Sequence, residues 1–300
     1  MYNGIIIIDK PQDFTSHDVI AKLRGMLKMR KMGHSGTLDP MATGILPIFL
    51  GNATKASDFH GVTCKEYVAT FKLGIETTTE DIWGEIINTQ PVETSVETVC
   101  NVVDNFKGKI LQTPPMYSAV KINGQRLYDI ARNGGVVERK AREIEIFEIE
   151  MLDLDNLEEN EYAIRVLCSR GTYVRTLCVD IGKKLGNIAT LTSLRRTKSG
   201  GYTKGYTLDE IQKLANDGEI ESILMPTDSV FANYHKVFVN ETGYTRLKNG
   251  TFARDVDCES FPQEFSTEVA VYFNNEFFIL GESRSLFDGG RAIFPTKAFF

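Results

Sequence analysis

Lys31-Met32-Gly33-His34-Ser35-Gly36-Thr37-Leu38-Asp39-Pro40-Met41-Ala42-Thr43-Gly44-Ile45-Leu46-Pro47 is the stretch on which the reading of this chain turns. Three glycines so close together mark backbone that turns tightly or lies against something bulky. Between them sits one carboxylate, Asp39, followed directly by Pro40. Proline drives the residue before it out of the helical region, so Asp39 is expected on extended, stiff backbone. A carboxylate fixed on a rigid loop beside apolar Leu38 and Met41 suits a nucleophile or general base. On local physics alone, the commoner outcome of an Asp-Pro pair is a surface turn.

The string as a whole resembles the signature loop of the pseudouridine synthases, in the branch that modifies position 55 in the T-arm loop of tRNA. That pattern reads Gly-His-x-Gly-x-Leu-Asp-Pro-x-Ala-Thr-Gly, and every fixed position is met from Gly33 to Gly44. A match of this length is far more specific than a lone glycine motif. Further matches carry the resemblance from about residue 4 to about residue 230.

The resemblance implies an α+β chain with a mixed, mainly antiparallel central sheet flanked by helices. It implies a catalytic domain over 1–235 and a small β-rich, PUA-like RNA-binding domain over 236–300. The implied activity is isomerisation of a tRNA uridine to pseudouridine after the base is flipped out of its stack. No cofactor and no metal are expected, the partner is tRNA, and the protein is expected as a cytoplasmic monomer away from membranes. Asp39 would be the nucleophile, with Tyr67 against the target base and Arg175 against the aspartate. His34 would fill the vacated stack, while Tyr173 and Leu194 would line the base pocket. Lys10 and Asp81 fall among the substrate- and RNA-binding positions.

Composition sets looser bounds. Three hundred residues, 42% hydrophobic and 25% charged, suit an ordinary globular chain with one large and one small domain. No apolar run approaches the roughly 20 residues needed to span a bilayer. Gly4 to Ile8 is too short, and too soon interrupted by Asp9-Lys10-Pro11, for a signal peptide. Five scattered cysteines without a Cys-x-x-Cys pair read as free thiols. The net charge is −6, but its distribution is uneven. From Glu143 to Glu161 the ionisable residues are all acidic, whereas Lys22, Arg24, Lys28, Arg30 and Lys31 form a basic run. Arg165, Arg170, Arg175, Lys183, Lys184, Arg195, Arg196 and Lys198 form another, against Asp180 alone. An acidic back and a basic front are compatible with RNA binding, although such runs are more often solvated faces.

Taken in order, Ile5 to Ile8 reads as a strand buried on both faces. Ser16 is the expected N-cap of a helix carrying Val19, Ile20, Leu23 and Leu27. Before it stands Lys10-Pro11-Gln12-Asp13-Phe14-Thr15-Ser16, where the family usually has Lys-Pro-x-Gly-x-Thr-Ser, so Asp13 replaces a turn glycine. Tyr67 to Leu73 alternates as a strand. Thr94 and Glu97, and again Thr207 and Glu210, have capping-box spacing. The block from Met116 to Arg132, with Asn123-Gly124 as a turn, resembles the T-arm branch's RNA-contacting insertion. A strand over Tyr162 to Cys168 feeds a helix with Thr172 as its expected N-cap, which places Arg175 in the first turn. A cation there opposes the helix dipole, and local rules are broken most often at functional sites. From about Val237, short aromatic strands flank Asn274-Asn275. That tail holds six bases against nine acids, so a chain ending near Tyr234 is expected to bind tRNA more weakly but keep its saturated rate.

Other chemistries lack their residues. Gly200 and Gly205 have Walker A spacing, but Tyr206 stands where lysine is required. Thr37 occupies the last glycine of a nucleophile elbow, and the zinc deaminase pattern is missing. Four histidines far apart in sequence make a poor metal set. Two alternatives stay open at this point: a non-catalytic RNA-folding chaperone on the same tRNA elbow, or a synthase of this fold directed at other RNA.

Overall fold

The computed structural model describes residues 1–300 apart from Val62, Ala119, Asn123 and Phe265. The chain opens with β1 (Gly4–Lys10), α1 (Ser16–Leu27), β2 (Met32–His34), β3 (Thr43–Leu50) and α2 (Ser57–Gly61). It continues through β4 (Lys65–Leu73), β5 (Ile75–Thr77), β6 (Ile86–Thr89), α3 (Val96–Asp104) and β7 (Gly108–Gln112). Next come β8 (Lys121–Ile122), β9 (Gln125–Arg126), α4 (Leu127–Arg132), β10 (Arg142–Leu152) and β11 (Glu161–Cys168). Then α5 (Val174–Lys184), β12 (Ala189–Ser199) and α6 (Leu208–Asp217) complete the first body. The C-terminal part holds β13 (His235–Val239), α7 (Glu241–Lys248), β14 (Ala253–Arg254) and β15 (Cys258–Glu259). It ends with β16 (Glu268–Phe273), β17 (Glu276–Ser285) and β18 (Arg291–Ala298).

Among the described residues the first body is built on an eight-stranded sheet of order β1-β3-β12-β4-β11-β10-β7, with β2 joined to β3 off that path. Only β3 and β12 run parallel; the other neighbours are antiparallel. A six-stranded sheet, β14-β18-β17-β16-β13-β15, forms the C-terminal part. This is the α+β architecture, with a small C-terminal β-rich domain, that the sequence implied. Among the described residues no helix is long and apolar enough to cross a membrane.

Local chemistry sets most boundaries, with small shifts from expectation. The N-cap of α1 is Thr15, not Ser16: its hydroxyl accepts from the Asp18 N–H, and the Asp18 carboxylate accepts from the Thr15 N–H. Ser16 is thereby freed to turn inward, where its Oγ accepts the Leu38 N–H at 2.9 Å. Ser95, not Thr94, caps α3, while Thr207 and Glu210 form the expected capping box on α6. Asp13 takes φ +65°, the left-handed turn where the family carries glycine, and aspartate is among the few residues that tolerate it. Asn274 and Asn275, both at positive φ, close the β16–β17 hairpin with Phe273 opposite Glu276. Strands β8 and β9 pair as the Asn123-Gly124 turn predicts, with Gly124 at φ +84°; Asn123 itself lies outside the described residues.

The two-sided burial expected of Ile5–Ile8 has a specific cause. Successive side chains on a strand face opposite ways. Ile6 and Ile8 enter the core beneath α1 and α6, with Leu46, Ile48 and Leu50 of β3. Ile5 and Ile7, with Ile45, Phe49, Ala53 and Ala56, pack against Phe231, Ala270, Tyr272, Leu280 and Phe299. The C-terminal sheet therefore covers the back of β1 and β3. Phe231 is its hub, 1% exposed, within 5.3–5.7 Å centroid distance of Phe59, Tyr234, Phe277 and Phe299. Polar ties reinforce it: the Tyr272 hydroxyl donates to Asp228 Oδ2 at 2.7 Å, and Lys55 Nζ donates to the Ala298 carbonyl at 2.8 Å.

This shared core changes what truncation does. A chain ending near Tyr234 would leave Ile5, Ile7, Ile45 and Phe49 facing water, so it is expected to aggregate or bind apolar dyes, in contrast to the mild outcome that charge alone suggests. Phe231→Ala in the full chain is expected to cost about 3–5 kcal/mol, read from urea denaturation, because the aromatic ring leaves a cavity between two bodies that cannot both collapse into it.

Candidate active site at a forked strand edge

The signature loop lies where β3 changes partners. Along one edge, Thr43 and Gly44 pair in parallel with Arg195 and Arg196 of β12, whereas Ile48 to Leu50 pair with His34 to Met32 of β2. Between those registers the Ile45 carbonyl accepts from Arg196 Nε at 2.6 Å and the Pro47 carbonyl from the Ser35 N–H at 3.2 Å. Residues 35–42 arch over the fork. Gly44, at φ +103°, permits the approach: a Cβ there would lie 2.2 Å from the Arg196 carbonyl oxygen.

Side-chain and backbone groups together hold the arch. Ser16 Oγ takes the Leu38 N–H, the Asp13 N–H donates to the Pro40 carbonyl at 2.9 Å, and the Ala42 N–H donates to the Asp39 carbonyl at 3.1 Å. Lys10, fully buried, donates from Nζ to the carbonyls of Pro11, Phe14 and Pro40 at 2.9, 2.6 and 3.1 Å. Burial pulls its pKa down to about 8 even though the negative charge of Asp39 works the other way.

Asp39 is thus presented from a fixed loop, with its side chain 38% exposed and Oδ2 2.9 Å from Arg175 Nε. Arg175 is buried and engaged at all three nitrogens. Its Nη1 donates to the Thr79 carbonyl at 2.7 Å and stands 3.6 Å from Asp81 Oδ2, and its Nη2 donates to the Tyr117 carbonyl at 2.8 Å. Asp81 is fixed in turn through Oδ1, which accepts from Thr79 Oγ1 at 2.7 Å and the Trp83 N–H at 3.2 Å. The N-cap of α5 is Tyr173, without a side-chain cap bond, so Arg175 is the second helical residue. Thr172, expected as the cap, instead donates to the Ser169 carbonyl. Gln112, at the end of β7, pins Tyr173 by accepting its N–H at 2.8 Å and donating to its carbonyl at 3.1 Å.

A cavity of about 290 Å³ opens beside this pair, with Asp39, Tyr67, Tyr173, Arg175 and Leu194 in its wall, joined by Lys65, Ser118 and Arg196. Tyr67 sits directly across from Arg196 in the β4–β12 ladder, and burial pushes its phenol above the usual range. Burial likewise raises Tyr173. The fork therefore brings five of the eight expected site residues to one cavity.

The other three lie elsewhere. His34 ends β2, half-buried, with no hydrogen-bond partner for Nδ1 among the described residues and the ring held toward its neutral form by burial. Asp81 is behind Arg175, not in the wall. Lys10 corrects the expectation of an RNA contact: its ammonium is enclosed and spent on carbonyls, so its place is that of a clamp beneath the Asp39 loop. Sequence reasoning passed over Gln112, Lys65 and Arg196. Arg196 and Arg175 belong to the second basic run, a pattern that is more often a solvated face, yet they are 0% and 4% exposed. Only strand register and the glycine opposite, Gly44, separate Arg196 from exposed Arg195, which pairs with Asp9 at 2.7 Å.

Comparison with known proteins bears on what this site does. Residues 24–174 match the model of the TruB family pseudouridylate synthase N-terminal domain, and residues 175–232 that of the tRNA pseudouridylate synthase B C-terminal domain. The chain is 43% identical over 256 residues to a tRNA pseudouridine synthase B of Clostridium tetani, covering 84% of this chain and 86% of that one. It is 40% identical over 307 residues to its counterpart in Francisella tularensis, covering 99% and 95%. Among solved structures, a Cbf5-Nop10-Gar1 complex aligns with TM-score 0.74 and 26% identity over 99% of this chain and 85% of that one. An H/ACA RNP bound to a substrate RNA containing 2'-deoxyuridine aligns with the same TM-score at 24% identity, over 99% and 85%, and speaks to fold alone.

The Lys10 clamp has a titration of its own. Folded, it loses its proton near pH 8; unfolded, near the ordinary 10.5. Between these values the unfolded chain binds the extra proton, so this residue's contribution to stability rises with pH. The urea midpoint of the natural chain, minus that of Lys10→Met, is expected to climb from pH 7.5 to pH 9.5. A flat difference would mean the ammonium is not desolvated as the structure places it.

Proposed function

The chain belongs to the TruB family of pseudouridylate synthases, and from that premise we propose that it isomerises the uridine at position 55, in the T-arm loop of tRNA, to pseudouridine with Asp39 as nucleophile. The observation that carries this reading is the Asp39–Arg175 pair, a half-exposed carboxylate aligned by a buried guanidinium at the wall of a cavity large enough for one nucleoside.

Isomerisation breaks the bond from N1 to C1', turns the base and forms a bond from C5 to C1'. Nothing is consumed overall, so positioned side chains suffice and no metal or nucleotide cofactor is proposed. The target base must first leave its stack, at a cost of a few kcal/mol. In this reading the extruded uracil packs between Tyr67 and Leu194, Tyr173 borders it, and His34 takes up the vacated stack. The Arg175 guanidinium holds Asp39 in one orientation, and Asp81 in turn holds Arg175. A pure RNA-folding chaperone would have no use for that carboxylate pair.

The C-terminal domain, PUA-like by resemblance, is proposed to act mainly as a scaffold for the catalytic body. Its cations are already engaged within the protein. Arg246, Arg254, Arg284 and Arg291 pair with Asp257, Asp288, Glu282 and Asp255. Lys248 and Lys297 lie 5.2 and 5.0 Å above the rings of Tyr244 and Phe59. Phosphate-driven affinity scales with free cations, which leaves the exposed run from Lys22 to Lys31 as the better candidate for the RNA backbone.

Incubation with unmodified tRNA, followed by mapping of pseudouridine, tests the activity directly. Asp39→Asn is expected to keep the fold and most tRNA affinity while abolishing turnover; appreciable turnover by a pure Asn variant would end the assignment of the nucleophile. Arg175→Ala is expected to lose most activity. Activity is expected to survive exhaustive chelation in buffer where tRNA stays folded, and a specific requirement for added zinc would contradict the cofactor-free reading.

A further inference from the structure

Arg196 is fully buried, yet among the described residues no carboxylate pairs with it. Its Nε and Nη2 donate to the carbonyls of Ile45 and Gly36, at 2.6 and 3.1 Å, while Nη1 makes no hydrogen bond of good geometry among the described residues, with Tyr67 its one polar neighbour across the ladder. A guanidinium carries five N–H donors, so an end bearing two of them is left desolvated and unsatisfied. Arrangements of this kind are costly, because a buried charge is tolerated when paired and hydrogen-bonded. The open end belongs to a residue in the cavity wall, with Tyr67, Leu194 and Lys65 beside it. Gly36 makes room for it: a Cβ there would lie 3.3 Å from Nη1 and 3.1 Å from Lys65 Cε.

Resting on the isomerase reading above, we propose that Arg196 Nη1 donates to a carbonyl oxygen of the flipped uracil and stabilises the negative charge that the base acquires. Two features select the base over a phosphate. A flipped nucleotide stays tethered to the RNA by its phosphates, so these remain toward the mouth while the base goes deepest. Although Lys65 adds a second cation to this wall, the Tyr67 ring and the Leu194 side chain beside it are flat or apolar and suit a planar heterocycle. The chemistry also requires such a group. When Asp39 bonds to C1' and the N1–C1' bond breaks, the electron pair of that bond stays on uracil and spreads over N1, O2 and O4. When C5 bonds to C1', that pair makes the new bond, the Asp39 carboxylate leaves C1', and the C5 proton is lost as N1 gains one. A donor fixed in advance where charge develops is the usual means of stabilising such a species. Arg196 would then touch the reacting base, whereas Arg175 acts on the nucleophile.

The test couples residue to atom. Single-turnover rates are measured for the natural chain, Arg196→Lys and Arg196→Gln on tRNA bearing uridine, 2-thiouridine or 4-thiouridine at the target, with folding and tRNA binding checked for each. Both variants are expected to be slower on uridine by about 10²–10³-fold. Sulfur is a poor hydrogen-bond acceptor. The rate change on replacing one of the two oxygens should therefore differ between the natural chain and the variants by at least about tenfold. A role confined to pinning Gly36 and Ile45 would leave both thio effects unchanged by the substitution, and that result overturns the proposal. Should neither variant fold, Asp39→Asn crystallised with uridine tRNA decides the question. Nη1 within about 3.2 Å of O2 or O4 is expected, and a separation beyond hydrogen-bond reach overturns the proposal. Absence of pseudouridine formation by the natural chain would show separately that the isomerase reading fails, and this inference with it.

Discussion

A strand edge can hold one neighbour at a time, and β3 uses the same edge for two. β12 occupies it at Thr43 and Gly44, and β2 from Ile48 to Leu50. The chain joining β2 to β3 must therefore leave the plane of the sheet and return within residues 35–42. Backbone groups freed by the partner change need acceptors and donors of their own. Arg196 and Ser35 supply them at Ile45 and Pro47, and Ser16, Asp13 and Lys10 hold the arch from below. Asp39 is fixed because the arch has so few ways to move. Catalytic carboxylates need this kind of support, since loss of alignment by an ångström is expensive in rate.

Charge accounting separates three of the buried cations around that arch. Removing an ion from water costs several kcal/mol, and each hydrogen bond to a charged group returns roughly 1.5–3 kcal/mol. Lys10 meets three carbonyls, which matches its three donors. Arg175 meets two carboxylates and two carbonyls, the fullest set of the three. Arg196 meets two carbonyls and keeps an open end. By these magnitudes Arg196 is the least compensated of the three, and it lies in the wall of the cavity beside Asp39. Unsatisfied groups at such places are where function tends to be found.

Much of this was legible in the sequence. The signature loop from Gly33 to Gly44 carried the fold and the pairing of Asp39 with Arg175, because family resemblance transmits contacts that no local rule contains. Alternation gave β4, the stretch Tyr162 to Cys168 ahead of a helix gave β11, and the turn residues Asn274 and Asn275 gave the β16–β17 hairpin. Caps slipped by one residue at Thr15, Ser95 and Tyr173, where neighbouring hydroxyls or a backbone clamp compete for the same role. The burial of Arg196 was hidden for a different reason. Arg195 and Arg196 are chemically alike and adjacent, and their fates diverge only through the two-residue period of β12. That period is set by pairing with Tyr67 and Gly44, far away in sequence. Lys10 was misplaced in the same way, since nothing local announces that a lysine after an isoleucine run will be enclosed by three carbonyls.

The continuous run Ile5–Ile8 ties these levels together. Its even-numbered side chains belong to the catalytic core and its odd-numbered ones to the core shared with the C-terminal sheet. The same strand ends in Lys10, whose ammonium clamps the Pro40 carbonyl next to Asp39. An acidic domain with its cations already paired thus has a route to catalysis that needs no contact with RNA. By burying Ile5 and Ile7 it fixes the position of β1, and β1 fixes the clamp. Loss of that packing would act on the alignment of Asp39, and so on the rate at saturation, whereas loss of a phosphate-binding surface would act on affinity alone. The geometry of β1 favours the first over the second.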